Sequence, residues 1–376
     1  MARYLGGIPT KGTAKRSGAL KVETMKEEFA AQIERSHGIE IKVPAKIMLS
    51  GEYAVLYGEK SLSCTLARYM RVKAFARTDQ NCSFHSDLWN KTFLWNIKET
   101  PPFQEKNPAL AQLFEELQIE KSNGFHIEVL SGWQVTDGLG SSSALLLGLA
   151  FAVTALFACP EWTTGQKLTP IHWNLARKVY ILQKKWQNFA SGYDIVTQLV
   201  GGLLSFSYTE NQWPKECQAI PFSQEKINKF VHIFVGGPGA QTKRVGADTI
   251  HALKKNKLIG PLISTNKKSQ RLLSEALESS NTIAGPAFYK AIRSHREIFS
   301  GMNSFPRTLF EKLGKIAGFD ETFSCKTTGA GGQDAMLVFG DTDSLQSVQT
   351  LFKEQGWQQV TEHYPANGIS WRRITI

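Results

Sequence analysis

Residues 136–144, Thr-Asp-Gly-Leu-Gly-Ser-Ser-Ser-Ala, have the composition of an anion-binding loop. The two glycines lack a Cβ, so the backbone can turn sharply and come close to a ligand. The apolar run at residues 145–159 follows at once and predicts a buried helix. Unpaired N–H groups and the positive end of the helix dipole would then face the ligand. On this stretch alone, the alternative is an ordinary Gly/Ser turn that caps a core helix.

Two other residues have side chains suited to the chemistry of phosphate groups. Lys46 lies within an apolar strand predicted for residues 39–49, where Pro44 indicates a bulge or a sheet edge. Its ammonium either extends to solvent or lies near phosphates or a reacting hydroxyl. Asp194 follows a Ser-Gly turn, and it either caps the next helix or acts as a general base beside a substrate hydroxyl.

The elements around these residues divide the chain into a strand-rich first part and a helix-rich second part. Alternating or apolar runs predict strands at residues 68–77, 84–95, 124–130, 230–235, 321–325 and 335–339, with further strands within 357–376. Helical patterns are predicted for residues 22–36, 108–117, 344–355 and most of 254–316, and Thr169-Pro170 begins another helix. A polar stretch at residues 221–229 indicates a domain boundary.

Composition narrows the function classes. The 376 residues are 42% hydrophobic and 20% charged, which is typical of a globular protein with room for two domains. The net charge of +11 suits acidic partners, and without a nucleic-acid-binding motif small phosphates are the simpler explanation. We therefore expect a small-molecule partner, with no nucleic acid and no membrane, because the apolar run falls short of the ~20 residues that span a bilayer.

Cysteine spacing indicates the compartment. Five widely spaced cysteines without a Cys-x-x-Cys pair favour neither a disulfide framework nor a zinc site, so we expect a cytoplasmic protein. Residues 1–20 are basic and free of acidic residues, a composition that also occurs in transit peptides. We interpret them as a loose N-terminal tail.

Three separated segments resemble, in order and spacing, the motifs of the GHMP small-molecule kinases. They are residues 44–55, 138–143 and 326–332, and the resemblance covers residues 39–376. It implies a two-domain α+β fold, with an N-terminal domain like domain 2 of ribosomal protein S5 and a ferredoxin-like C-terminal domain. The implied division is an N-terminal extension at residues 1–38, an ATP-binding domain at 39–226 and a C-terminal domain at 227–376.

The resemblance also implies roles for individual residues. Lys46 and Asp194 match the catalytic lysine and aspartate of the family, and Ser142 matches the Mg²⁺ contact. ATP is the implied co-substrate, and its phosphates would lie along the second motif and be braced by the third. The implied ATP-binding residues are Gly138, Leu139, Gly140, Ser141, Ser142, Ser143, Gly329, Ala330, Gly331 and Gly332. The implied substrate-binding residues are Glu52, Tyr53, Ser191 and Gly192.

Within the family, the residues resemble the branch of isoprenoid precursor synthesis that phosphorylates mevalonate or its phosphate. Gly-Glu-Tyr-Ala-Val at residues 51–55, Ser-Gly-Tyr-Asp at 191–194 and Asp334 favour 5-phosphomevalonate as acceptor. Tyr-Gly-Glu-Lys at residues 57–60 instead resembles the kinases that act on mevalonate. Gln183 and its neighbours offer no acid for a second Mg²⁺ ligand. The mevalonate alternative therefore stays open, as does a GHMP-fold binding protein without catalysis.

A phosphorylated acceptor would bring extra negative charge to the site. Four basic residues are candidates to meet that charge: Lys184, Lys185, Lys243 and Arg244. The alternative is that all four are solvated surface residues. The expected assembly is a monomer or a homodimer.

Overall fold

Two β-sheets organise the chain, one of nine strands and one of four among the described residues. The computed structural model describes residues 37–103, 107–117, 123–159, 162, 164–165, 167–236, 242–278, 285–332, 334–342 and 345–375. The helix predicted for residues 22–36, and all but the last two residues of the proposed extension at 1–38, lie outside this described part.

The strands are numbered in chain order. They are β1 (His37–Ser50), β2 (Ser61–Ala76), β3 (Asn81–Ser86), β4 (Lys91–Asn96), β5 (Phe125–Leu130), β6 (Thr164–Gly165), β7 (Leu203–Thr209), β8 (Gln212–Ala219), β9 (Val231–Val235), β10 (Phe323–Thr327), β11 (Ala335–Gly340), β12 (Gln358–Gln359) and β13 (Ser370–Thr375).

The α-helices are numbered in the same way. They are α1 (Pro108–Glu116), α2 (Ser141–Phe157), α3 (Pro170–Gln187), α4 (Tyr193–Val200), α5 (Gln224–Phe230), α6 (Thr242–Lys255), α7 (Ile259–Glu278), α8 (Pro286–Phe299), α9 (Arg307–Leu313) and α10 (Gln346–Glu354). Short 3₁₀ turns span Ala54–Tyr57 and Val135–Asp137.

One local expectation differs from the structure, and a segment interpreted only as a boundary contains a helix. The strand predicted for residues 84–95 is an antiparallel hairpin of β3 and β4, and Asn90 turns the chain with a φ of 46°. Asn tolerates this left-handed conformation better than most residues, which is why a turn fits inside an otherwise apolar pattern. The polar stretch at residues 221–229 contains helix α5, whose first turn is capped by the Ser223 side chain.

The larger sheet has the strand order β4-β3-β5-β2-β1-β13-β6, and β7 and β8 extend it from the first residues of β2. Strand β2 is long enough to pair its residues 61–64 with β7 and its residues 71–76 with β5. Strand β1 pairs along the other edge of β2, and the register of this pairing shifts between Pro44 and Ala45. The bulge predicted at Pro44 is confirmed.

Helix α2 forms the centre of the core of the larger sheet. Every residue from Ser143 to Ala155 is buried, and the helix packs on β1 and β2. A helix that is apolar on all sides has no face for solvent, so it belongs inside a protein of this size. The buried helix predicted to follow residues 136–144, which we call the Gly/Ser loop, is therefore confirmed. The core fixes the position of this loop at the N-terminus of α2.

The smaller sheet has the order β10-β11-β9-β12, with every pair antiparallel. Its two βαβ units interleave in the manner of a ferredoxin-like domain, with α10 between β11 and β12. Successive residues of a strand face opposite sides. Ile233 accordingly joins the core around α2, and Phe234 joins a second core with helices α6 to α9. The smaller sheet thus has both faces covered.

The last strand links the two parts of the chain. β13 pairs with β1 in the larger sheet, although it comes from the C-terminal end of the range 227–376.

None of the described helices combines the length and apolar character needed to cross a bilayer.

Two helical glycines give a test of this packing. A Cβ on Gly148, inside α2, would lie 2.8 Å from Cγ2 of Val72 on β2. We expect Gly148→Ala to lower the free energy of unfolding by about 1–3 kcal/mol, because overpacking outweighs the helix propensity of Ala. Urea denaturation measures this difference.

Gly260, near the start of α7, provides the matched control. It is exposed, and a Cβ there would meet nothing within 4 Å. Gly260→Ala should be neutral or should stabilise the protein by up to about 1 kcal/mol. Equal effects of the two substitutions would contradict the packing of α2 described above.

Candidate active site

The Gly/Ser loop delivers the N-terminus of α2 to an open cavity. Gly138 and Gly140 both have a left-handed φ, 69° and 83°, and Gly140 is the N-cap of the helix. Because glycine has no side chain to cap the helix, the first-turn N–H groups of α2 remain available to an anion. The side chain of Gln198 steadies the turn by donating from Nε2 to the carbonyl oxygen of Gly140 at 3.1 Å.

Lys46 lies directly beside this loop. Its Nζ donates to the carbonyl oxygen of Gly138 at 3.1 Å and to Oη of Tyr193 at 2.9 Å, and the residue is 6% exposed. The alternative in which Lys46 extends into solvent is therefore wrong. Burial opposes its charge, but the neighbouring Tyr193, Asp194 and Asp334 hold the pKa of Lys46 above its ordinary value. The cavity thus has a fixed cation at the mouth of the loop.

Space around Lys46 explains one glycine of the loop. A Cβ on Gly140 would lie 2.7 Å from Cε of Lys46 and 3.1 Å from Nε2 of Gln198. Since the φ of Gly140 also disfavours other residues, any side chain there would be strained and would displace the lysine. The composition of the loop is therefore set by the approach of Lys46 as much as by the turn.

Asp194 lies in the first turn of α4 and lines the same cavity. The N-cap of that helix is Gly192, so the alternative in which Asp194 caps it is wrong. Gln183, on helix α3, donates from Nε2 to Oδ2 of Asp194 at 2.7 Å. This amide fixes the orientation of the carboxylate, and no local sequence pattern predicts it because it depends on how α3 and α4 pack.

The third motif approaches from the smaller sheet and is tied to the first. Thr328 donates from Oγ1 to the carbonyl oxygen of Met48 at 2.6 Å, and Tyr53 donates from Oη to the carbonyl oxygen of Ala330. A Cβ on Gly329 would lie 4.0 Å from Oη of Tyr193, so this loop also borders the Lys46 site.

Asp334 contributes a carboxylate from the end of the same loop. The residue is 8% exposed, and its Oδ1 has no hydrogen-bond partner within the described part of the chain. Burial raises the pKa of Asp334 above its ordinary value, although Lys46 acts in the opposite direction. A Cβ on Gly138 would lie 2.8 Å from Oδ2 of Asp334, so the carboxylate packs directly against the Gly/Ser loop.

Most of the residues implied by the resemblance meet at this one cavity. Those that line it are Lys46, Tyr53, Gly138, Gly140, Ser141, Ser142, Ser143, Ser191, Gly192, Asp194, Gly329 and Ala330. Leu139, Gly331 and Gly332 support the loops without lining the cavity. Sequence reasoning assigned no contact in the site to Tyr193, Gln183 or Gln198. The contacts of Tyr193 with Lys46 and of Gln198 with Gly140 join residues 147 and 58 positions apart, whereas Gln183 and Asp194 are 11 apart.

Glu52 differs from its expected place in the substrate site. It lies behind the cavity, and its carboxylate pairs with Nζ of Lys326 and contacts Nε2 of His295 at 3.3 Å. All three side chains are at least 97% buried. Burial opposes the charge of Glu52, but Lys326 and His295 lower its pKa to about 2. We call these three residues the Glu52 cluster, and it joins the first motif to β10 and α8.

The basic residues considered for a phosphorylated acceptor have different surroundings. A depression next to the cavity shares Leu56, Phe189 and Ala190 with it, and Lys184 lines that depression together with His251 and Lys254. Lys185 is exposed and lines neither. The side chains of Lys243 and Arg244 lie outside the described residues.

Comparison with known proteins gives a partial match to one family. Residues 106–202 match the pattern described as GHMP kinases N terminal domain, and that range contains the Gly/Ser loop and Asp194. The match covers 97 of the 376 residues, so it shows that this range resembles the N-terminal domain of the GHMP kinases. This range ends at the last residue before β7. The match therefore includes helices α2, α3 and α4, which contribute residues to the wall of the cavity.

Curated relatives match this chain at low identity. Mevalonate kinase of Methanocaldococcus jannaschii is 23% identical over 205 residues, which are 50% of this chain and 63% of the relative. Mevalonate kinase of Saccharolobus solfataricus is 28% identical over 170 residues, 45% of this chain and 51% of the relative. The matches therefore span between half and just under two thirds of each relative.

Solved structures establish the fold. The structure of Streptococcus pneumoniae phosphomevalonate kinase in complex with phosphomevalonate and AMPPNP has a TM-score of 0.62 at 16% identity, over 89% of this chain and 99% of that one. The expected α+β fold, a two-domain GHMP kinase fold, is confirmed.

The Glu52 cluster makes a prediction about stability. Lys326→Met leaves the Glu52 carboxylate buried without its cation, and breaking a buried ion pair costs about 3–5 kcal/mol. We expect a large fall in the free energy of unfolding, measured by urea denaturation. Adding Glu52→Gln should recover much of that loss, because the unpaired charge is then gone.

The control for the buried ion pair of Glu52 and Lys326 is an ion pair on the surface. Arg271→Met breaks the exposed ion pair with Glu275 on α7 and should leave the unfolding midpoint nearly unchanged. If Lys326→Met had no larger effect than Arg271→Met, the Glu52 cluster would not join the motifs as described.

The same cluster predicts a dependence on pH. The pKa of Glu52 is lowered from 4.5 to about 2 in the folded protein, so its contribution to stability is fully present above 4.5 and is lost as the pH falls towards 2. Urea midpoints measured at intervals across this range should fall less steeply for the Glu52→Gln, Lys326→Met double variant than for the wild type. Parallel slopes would contradict the prediction.

Proposed function

We propose that this protein is a GHMP kinase that transfers the γ-phosphoryl group of ATP to 5-phosphomevalonate, giving diphosphomevalonate and ADP. The observation that carries the proposal is the meeting of Lys46, Asp194 and the N-terminus of α2 around one cavity. Phosphoryl transfer asks a protein mainly for positioning and for charge stabilisation, and these three groups supply both.

The phosphates of ATP are assigned to the loop at the start of α2. Backbone N–H groups at a helix N-terminus and the positive end of its dipole bind phosphate oxygens without a lysine of the Walker type. Residues 141–143 line the cavity at this point, and the hydroxyls of Ser141 and Ser142 add further donors, whereas the Ser143 hydroxyl donates to the carbonyl oxygen of Gly140. Ala330 and Gly329 would close the other side of the nucleotide site.

The donor set also fits Mg²⁺. Ser142 offers a hydroxyl and Asp334 an unpartnered buried carboxylate oxygen, and Mg²⁺ binds one or two such ligands together with phosphates and water. In these kinases the ion would neutralise phosphate charge. Among the described residues there is no group of three or more His, Cys, Asp or Glu side chains that could hold a metal by themselves.

The chemistry balances without a protein base when the acceptor is a phosphate. Its second pKa is about 6, so at neutral pH an anionic oxygen attacks the γ-phosphorus directly. The bond from the γ-phosphorus to the bridging oxygen breaks, and ADP leaves with the electron pair. Lys46 would stabilise charge on the transferred group, and Asp194 would orient the acceptor.

The contact from Gln183 to Asp194 favours this acceptor. The carboxylate already accepts a hydrogen bond at 2.7 Å from an uncharged amide, an arrangement that suits orientation of the acceptor. The adjoining depression adds Lys184, His251 and Lys254 near the cavity, where extra negative charge on an acceptor would be favourable.

Mevalonate is the second candidate acceptor, because the curated relatives cited above carry that activity in their names. Its hydroxyl would have to lose a proton during the reaction, and Asp194 is the side chain available to take it. The Asp194 carboxylate would therefore orient the acceptor if the acceptor is 5-phosphomevalonate, and would act as a general base if the acceptor is mevalonate.

An acceptor comparison tests the proposal. Purified protein with Mg-ATP is offered mevalonate and 5-phosphomevalonate in parallel, and ADP release is measured. We expect turnover with 5-phosphomevalonate and at most trace turnover with mevalonate. Turnover with mevalonate alone would replace the proposed acceptor, and the absence of turnover with both would leave a GHMP-fold binding protein.

Asp194→Asn tests the role of the carboxylate. Without the carboxylate that orients the acceptor, the attacking oxygen is misplaced, so kcat should fall by about 10²-fold, while the Kd for ATP measured by calorimetry stays within about twofold of the wild type. The control is Asp87→Asn, an exposed turn residue that accepts a bond from the N–H of Ser131, which an amide oxygen can also accept. Unchanged kcat in Asp194→Asn would remove this residue from the mechanism.

A further inference from the structure

Tyr193 joins the two residues assigned to catalysis. Its hydroxyl accepts a hydrogen bond from Nζ of Lys46 at 2.9 Å, and Asp194 is the next residue in the chain. The side chain is partly exposed, and the surface to which it is exposed is the wall of the cavity. No part of the sequence resemblance assigns it a role.

Counting donors shows what this pair can still bind. An ammonium has three N–H donors, and Lys46 uses one on Gly138 and one on Tyr193. A phenol that accepts a hydrogen bond from an ammonium still has its own O–H to donate. No acceptor for that O–H is found among the described residues, so Lys46 and Tyr193 each keep one donor for a ligand in the cavity.

The surroundings of the phenol keep its proton in place. Burial and the neighbouring Asp194 raise the pKa of Tyr193 above its ordinary value, although Lys46 acts in the opposite direction. At neutral pH the phenol is therefore a donor. A Cβ on Gly329 would lie only 4.0 Å from Oη, so the hydroxyl faces the gap between the first and third motifs.

We infer that Tyr193 is a catalytic residue whose O–H donates to an oxygen of the transferred phosphoryl group, next to the ammonium of Lys46. This inference rests on the proposed function. In the step, an oxygen of the acceptor phosphate bonds to the γ-phosphorus, the bond to the bridging oxygen breaks, and ADP takes the electron pair. Tyr193 keeps its proton throughout, and its hydrogen bond strengthens as charge on the transferred oxygens is redistributed.

The alternative role for Tyr193 is to hold Lys46 in position. The lysine has a second anchor in the carbonyl oxygen of Gly138, and the walls of its site include Gly140 and Gln198. Removing the phenolic oxygen alone therefore leaves the ammonium anchored, and an effect on the transition state can be separated from loss of binding.

The experiment compares Tyr193→Phe with the wild type in steady-state kinetics with Mg-ATP and 5-phosphomevalonate. Removing one preorganised donor to a developing charge costs on the order of 10²-fold in kcat in comparable sites, so we expect a fall of about 10- to 100-fold. KM for both substrates should stay within about threefold. A thermal melt should show that the variant is folded.

Calorimetry supplies a readout that does not depend on turnover. The probe is Mg-ADP with aluminium fluoride and 5-phosphomevalonate, which imitates the transferred group in flight, and Mg-ADP alone is the reference. Tyr193→Phe should weaken binding of the aluminium fluoride complex about as much as it lowers kcat, and should leave the Kd for Mg-ADP unchanged.

Tyr289→Phe is the matched control. This tyrosine on α8 is buried away from the cavity, and its hydroxyl has no hydrogen-bond partner among the described residues, so its loss should change none of these values. An active wild type with an equally active Tyr193→Phe variant would overturn the inference alone. A raised KM with unchanged kcat would also overturn it, since the phenol would then act in ground-state binding. A wild type inactive with both acceptors would overturn the proposed function and this inference with it.

Discussion

The cavity depends on one buried ammonium. Taking the charge of Lys46 out of water costs several kcal/mol unless fixed partners replace the lost hydration. Those partners come from segments far apart in the chain: the carbonyl oxygen of Gly138, the phenol of Tyr193 and the negative charges of Asp194 and Asp334. Together they offset the cost of burying the lysine, so compensation of a single charge brings segments of all three motifs to one point.

The two sheets hold these partners at the required distances. Strand β1 carries Lys46, the core beneath it fixes the start of α2, and the N–H of Lys46 donates to the carbonyl oxygen of Leu139 in the loop at 3.1 Å. Asp334 comes from the smaller sheet, and the hydrogen bond from Thr328 to Met48 ties that sheet to β1. The Glu52 cluster makes a second tie on the far side of the first motif. Both halves of the site are therefore anchored in buried structure.

The sequence predicts the parts of this arrangement that are local. The apolar run behind the Gly/Ser loop predicts α2, and Pro44 predicts the bulge in β1, because each depends on residues close in the chain. The resemblance brought Lys46 and Asp194 to attention in the same way, through motifs of a few residues.

Other features depend on packing between distant elements. The pairing of Gln183 with Asp194 requires the crossing of α3 and α4, and that of Glu52 with Lys326 joins residues 274 apart. The resemblance implied a place for Glu52 at the substrate, because a motif of a few residues gives no indication of a lysine 274 positions away. It included Tyr193 only as part of Ser-Gly-Tyr-Asp at residues 191–194, since the contact with Lys46 depends on packing across 147 positions.

The distribution of charge in the cavity indicates what the site is built to hold. The N-terminus of α2 and Lys46 attract an anion, yet Asp194 and Asp334 stand beside them and would repel one. An isolated phosphate would be served better without the two acids. A polyphosphate with a bound divalent cation needs both signs, since its oxygens require donors and its cation requires carboxylate or hydroxyl ligands. The coexistence of a helix N-terminus, one fixed ammonium and two carboxylates therefore matches a nucleotide–metal complex better than a simple anion.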